Sequence, residues 1–173
     1  MVFLIVSILF VSILGTLLHF LYDWTNHNQI VGLFAAVNES TWEHVKIALG
    51  PTLLWGLVDG IVCGNNPNYF LAKSTSLLVL IVLIPLLFYG HKFIAQKDYA
   101  VFDIVMFYLV VIVSQLVFFG LLQIAPVAFW VRYLSCVTLF VIFGCYLLLT
   151  LLPIKNFIFQ DPLTDKYGYP AHQ

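Results

Sequence analysis

Charge is what this sequence has least of. Of 173 residues, seven are Lys or Arg and eight are Asp or Glu, 9% of the chain, where soluble globular chains carry about 25%. The hydrophobic share is correspondingly 62%, which places the chain outside the soluble class and leaves no stretch for a separate soluble enzyme. A net charge of −1 gives no electrostatic footprint for nucleic acid, so no nucleic-acid partner is expected. Cysteine is scarce too. Cys63, Cys136 and Cys145 sit inside apolar runs, without C-x-x-C spacing, and read as small packing residues rather than ligands. Also missing are H-E-x-x-H, Glu-x-x-His, a Gly-rich phosphate loop, a Ser-His-Asp order and a haem-attachment motif. The opening "MVFLIVSILFVSILGTLL" lacks a basic region and a small-residue cleavage site, so a retained first span is expected rather than a signal peptide.

What is present are long apolar runs. A helix crossing the bilayer core needs about 20 mostly apolar residues, and residues 2–22, 41–63, 69–90, 99–122 and 127–152 qualify. None alternates with the period of two that a barrel strand shows, so the spans are helical. The expected fold is all-α, a polytopic membrane helix bundle of five transmembrane helices in one domain over 1–173, with a tail at 153–173. Aromatic residues gather at the span ends, among them Trp24, Trp42, Tyr69, Tyr99 and Trp130, as an interfacial belt does. The short second and fourth connections, "GNNPN" and "QIAP", make their flanking helices antiparallel neighbours.

Five spans put the termini on opposite faces. Lys46, Lys92, Lys97, Lys155 and Lys166 fall on the side of the first loop, third loop and tail, with Lys73 and Arg132 on the other. The positive-inside rule then predicts the N-terminus outside and the C-terminus cytoplasmic. Pro51 and Pro85 lie inside spans and free the carbonyls of Ile47 and Ile81 from helical hydrogen bonds, which predicts kinks. Asp59 and Arg132 share a depth and are expected to pair, with Lys73 as an interfacial anchor; Ser114 and Gln115 read as interhelical hydrogen-bonding groups.

The few polar residues are not spread evenly. "VNESTWEHVK" packs Glu39, Glu43, His44 and Lys46 into residues 37–46. Ser40 followed three positions later by Glu43 matches a capping box at the start of the second span. That pattern leaves Glu39, His44 and Lys46 without a role. The first helix ends "LLHFLYDW", with His19 and Asp23 one turn apart on one side. Alternation of the spans brings His19, Asp23, His27, Glu39, Glu43, His44, His91 and Asp103 to the same depth, with His172 following in the tail. Between Trp24 and Glu39, "IVGLFAAV" is too short to span and reads as a re-entrant or interfacial segment, a lid or a surface anchor. The turn-rich tail "NFIFQDPLTDKYGYPAHQ" is expected to cap the same face.

Glu39, Glu43, His44, His19 and Asp23 are the candidate catalytic residues. Ionisable groups at membrane depth cost roughly 2.5–3.5 kcal/mol at a helix centre and face a cavity or a partner, so interfacial ion pairs are the competing reading. Two chemistries stay open. A metal such as zinc would need ligands from several spans, for example His19, Asp23 and Glu43. Without metal, Glu39 or Glu43 would serve as base and a histidine as acid, for proton relay or hydrolysis.

"HFLYDW", "VNESTWEHVK" and "FQDPLTDKYGY" together resemble an uncharacterised family of small bacterial multi-span membrane proteins marked by Asn-Glu-Ser-x-Trp-Glu-His-x-Lys. The motif positions here are Asn38, Glu39, Ser40, Trp42, Glu43, His44 and Lys46. The resemblance implies a bacterial cell membrane and transfers no chemistry. The functional expectation is a polar cytoplasmic-side cluster that binds or processes a lipid-like or small amphiphilic molecule. The alternatives are a proton-linked transporter or ion-conducting subunit, and a non-enzymatic membrane partner. Beyond the lipid bilayer itself, partners, cofactor, metal occupancy and oligomeric state stay open.

Overall fold

Five helices make up the computed structural model, which describes residues 1–95 and 100–169. They are α1 (Val2–Trp24), α2 (Thr41–Cys63), α3 (Tyr69–Ala95), α4 (Ala100–Leu122) and α5 (Phe129–Leu151). Each is long and apolar enough to cross a bilayer. No strand occurs among the described residues; Gln160 and Tyr167 form an isolated antiparallel bridge. The span starting at Tyr99, Lys97 and His172 fall partly or wholly outside the described residues. α3 runs five residues past its expected end at 90, because "HKFIA" holds no Gly or Pro to stop it.

Helices α1, α2, α3 and α4 pack as a closed ring, each against the next and α4 against α1. α5 docks outside that ring, chiefly on α3. The core is lined by Val11, Ala48, Leu49, Leu77, Leu80, Val110 and Val111, all essentially sealed, while residues such as Ile13, Leu57, Ile61, Phe140 and Leu148 face outward. An apolar exterior on every helix is what lipid contact requires. α1 and α2 meet closely because Gly15 has no side chain: a Cβ there would stand 2.9 Å from the Ile47 carbonyl and 2.7 Å from the Phe107 ring. That carbonyl is the one Pro51 leaves without its helical donor. α2 and α3 each continue as one helix through Pro51 and Pro85.

The two short connections are stapled to each other. Asn68, 1% exposed, donates through its amide to the carbonyls of Ile124 (2.9 Å) and Ala125 (3.2 Å). Its side-chain oxygen accepts from Val127 N at 3.0 Å, and Asn66 Nδ2 donates to Leu122 O at 2.9 Å. Backbone groups that would be orphaned near the membrane surface are thereby satisfied by side chains.

At that end the expected Asp59–Arg132 pair is not formed. Asp59 is fully buried and takes Lys73, itself 2% exposed, as its partner. Lys73 is therefore no interfacial anchor. Its stem crosses α2 at Gly56, where a Cβ would stand 3.2 Å from Lys73 Cε, and its ammonium lies 5.4 Å from the Phe118 ring centroid. The reason is register: Asp59 and Lys73 stand about equally far from the turn that joins α2 to α3, so antiparallel packing puts them opposite. Arg132 Nε is buried without a hydrogen-bond partner among the described residues. In mid-span, Ser114 Oγ donates to Ser76 O at 2.9 Å, the interhelical bond expected of it.

Candidate functional site

At the other end, the first loop and the tail fold over the mouth of the ring. Asn38 opens the approach to α2: its Oδ1 accepts from Ser40 N at 2.9 Å and its Nδ2 donates to Gly168 O at 2.8 Å. Trp42 N donates to Ile158 O at 2.9 Å, and the Trp42 ring stacks on Phe159 with centroids 5.1 Å apart. Thr41 Oγ1 donates to Tyr89 Oη at 2.9 Å, which in turn donates to Phe157 O at 3.0 Å, so α2, α3 and tail share one chain of hydroxyls. Tyr169 Oη reaches Gln29 O at 3.1 Å. Burial first, then the Glu43 carboxylate and Tyr22, push the Tyr169 phenol above its ordinary pKa. The described part of the tail caps this end of the bundle.

Glu43 does not complete a capping box. Ser40 occupies the N-cap position without a side-chain cap bond. The Glu43 carboxylate instead turns inward, where Oε2 accepts from Val37 N at 2.9 Å and lies 2.5 Å from Lys46 Nζ. Lys46, fully buried, also donates to Gly32 O at 2.9 Å. The pair thus spends its remaining hydrogen-bonding capacity on the backbone of "IVGLFAAV", and that loop segment enters the bundle as a short 3-10 turn at Val31–Leu33 with Gly32, Ala35, Ala36 and Val37 buried. The capping box fails because a charged partner inside the bundle binds a desolvated carboxylate more strongly than a backbone N–H at its rim.

With Glu43 turned in, Glu39 is left facing out, and it stands between two imidazoles. Glu39 Oε1 lies 3.8 Å from His19 Nε2 and Glu39 Oε2 lies 3.7 Å from His44 Nε2. The two rings are 5.4 Å apart at their centroids. His44 Nδ1 is 3.0 Å from the Ser40 carbonyl, which can only accept, so this nitrogen carries the hydrogen. In the neutral ring the Nε2 lone pair then faces Glu39. One ligand atom each from His19, Glu39 and His44 lies within 4.8 Å of the others, close enough to meet on one metal ion. Of the five sequence candidates, three converge here. Asp23 sits apart at the surface, 3.2 Å from His27, and Glu43 serves the buried pair. His91 stacks on Phe102.

Two cavities meet at this triad. One, about 550 Å³, has the more polar wall of the two and lies under the loop and tail, lined by His19, Asp23, Asn38, Glu39, Thr164 and Lys166 together with Tyr22, Val37 and Leu163. The second, about 330 Å³, runs between α1 and α4 and is lined mainly by apolar groups including Gly15, Phe20, Ile47, Ile104 and Phe107. His19 and Glu39 line both. At the groove wall Thr16 Oγ1 donates to Ser12 O at 2.8 Å, so its 2.9 Å contact with Tyr108 has the phenol as donor. A family model described as "Family of unknown function (DUF6512)" matches residues 1–169. The chain belongs to this family. No curated protein and no solved structure matches it. Five helices of membrane-spanning length and composition in a DUF6512 chain are compatible with a multi-pass membrane protein.

Sequence reasoning missed the Asn68 staple, the Lys46–Gly32 contact and the tail's part in the polar cavity. The last had a signal in Asp161: its carboxylate accepts from Leu163 N (3.1 Å) and Thr164 Oγ1 (2.6 Å), a local turn that presents Thr164 and Lys166 to the cavity. The different surroundings of the two glutamates give a direct test. Glu43→Gln, which strands a buried ammonium, should cost about 3–5 kcal/mol of stability. Glu39→Gln, half exposed, should cost under about 1 kcal/mol. Thermal unfolding of the detergent-solubilised chain measures both, and Lys46→Met added to Glu43→Gln should recover much of the loss.

Proposed function

We propose that this protein binds a lipid-like amphiphile with its polar head at His19, Glu39 and His44. The observation that carries the reading is that His19 and Glu39 line the polar cavity and the apolar groove at once. A molecule with a hydrogen-bonding head and a hydrocarbon part matches that pair of surroundings; a wholly polar solute would leave the groove unused. The groove opens between α1 and α4, both of which carry outward apolar residues, so an acyl chain enters from the bilayer without crossing water. The polar cavity offers acceptors at Glu39 and Asp23 and a cation at Lys166, which suits a head bearing hydroxyl, amine or phosphate groups. Histidine beside carboxylate also supplies an acid and a base for processing that head.

The whole chain acts as one membrane domain in this reading, and the site faces the cytoplasm. Lys46 and Lys73 lie in buried pairs and drop out of the loop-charge balance. Lys92, Lys97, Lys155 and Lys166 then oppose Arg132 alone, a sharper asymmetry than before. A C-terminal fluorescent-protein fusion should fluoresce and a C-terminal alkaline-phosphatase fusion should be inactive; the opposite pair of results reverses the orientation.

Filling the groove tests the binding reading. Ile104 lines it and is 57% exposed, whereas neighbouring Val105 is 50% exposed and lies outside it. Ile104→Trp should strip the co-purifying amphiphile seen by native mass spectrometry, and Val105→Trp should retain it. Equal retention in both variants, or no bound species in the parent, contradicts the reading.

A further inference from the structure

We infer that His19, Glu39 and His44 form a binding site for one zinc-class divalent cation. The donor set is two imidazoles and one carboxylate from three separate segments, α1, the first loop and the start of α2. Two imidazoles and one carboxylate with a position left open is a known zinc donor set for catalysis, and hard cations that prefer all-oxygen shells are poorly served by it.

Three features of the geometry favour a metal over a simple ion pair. The Glu39 oxygens stand 3.8 and 3.7 Å from the two Nε2 atoms, beyond hydrogen-bond reach, so the carboxylate sits between the rings without bonding to either. Ligand atoms at about 2.0–2.1 Å from a tetrahedral zinc stand roughly 3.3–3.4 Å apart, so side-chain rotation has to draw together three ligand atoms that now lie within 4.8 Å of one another. The second feature is the bond from His44 Nδ1 to the Ser40 carbonyl at 3.0 Å. A metal-bound histidine characteristically donates its other ring N–H to such an acceptor, which fixes the tautomer and aims the lone pair at the ion. The third is access: His19, His44 and Glu39 side chains are 26%, 27% and 46% exposed, enough for an ion to enter and for one coordination position to stay open. Asp23 and His27, which share the cavity rim, pair with each other at 3.2 Å and stand outside the donor set.

The ion binds without any amphiphile; with it in place, the head group of the binding reading would meet the open coordination position in place of the three side chains, and only that Lewis-acid role rests on the binding reading. The full chain, purified in detergent, stripped with chelator, reloaded with zinc sulfate and desalted, is assayed by elemental analysis. About one zinc per chain is expected, falling at least severalfold in His44→Ala and in Glu39→Gln and unchanged in His27→Ala. Should a variant fold poorly, cobalt(II) loaded into the parent gives the second readout: intense visible d–d bands of a four- or five-coordinate site, abolished by an equivalent of zinc. No bound zinc in the parent, or equal zinc in parent, His44→Ala and Glu39→Gln, overturns the site. Ile104→Trp separates the two ideas: loss of amphiphile with zinc retained supports both, and amphiphile retained beside full zinc occupancy overturns the groove alone.

Discussion

The Glu43–Lys46 pair is the interaction on which the site end of this molecule depends. Two opposite charges buried in an apolar bundle are tolerable only with good geometry and with their remaining donors and acceptors satisfied. Here the satisfying groups are Val37 N and Gly32 O, both in the first loop. The pair therefore cannot settle without pulling that loop into the bundle. Gly32 has room for nothing larger, since a Cβ would stand 2.6 Å from the Tyr169 ring and 2.8 Å from Val37. Once Val37 is held, Asn38 turns the chain and Glu39 is delivered between α1 and α2.

Everything distinctive about the site follows from that placement. Glu43 and His44 are adjacent on α2 and so point about 100° apart; one turns to the buried lysine and the other to Glu39. The loop that the pair pins also forms part of one wall of the polar cavity, and the tail that packs on Trp42 forms another. The opposite end of the bundle also buries a charge pair, with a different result. Asp59–Lys73 is a buried pair, but it joins α2 to α3 and, among the described residues, leaves no half-exposed carboxylate or imidazole paired with it. It locks helix order, and the Asn68 staple closes the turns beneath it.

How much was legible in the sequence divides along physical lines. The spans were readable because apolar length is a local property, and α2 begins and ends where "TWEHVK" and "VCGNN" say it should. The common depth of His19, Glu39 and His44 followed from alternation of the spans. Their convergence did not, because depth carries no information about rotation around each helix axis. Glu43 was misassigned for a different reason: a capping box and an i,i+3 ion pair with Lys46 both fit its position, and only burial decides between them. The Asp59 partner was within reach, since positions equidistant from a short antiparallel turn face each other; matching depth alone pointed to Arg132.

The most direct test of this account is hydrogen–deuterium exchange of the first loop, followed by mass spectrometry, in the parent and in Lys46→Met. Ala36 N donates to Leu18 O at 3.1 Å and Val37 N to Glu43 Oε2 at 2.9 Å, so a peptide covering residues 31–37 should be protected in the parent. In Lys46→Met that protection should fall at least tenfold, while peptides from α3 and α4 stay unchanged. A loop that exchanges freely in the parent, or equally in both proteins, would contradict the claim that the buried pair positions Glu39.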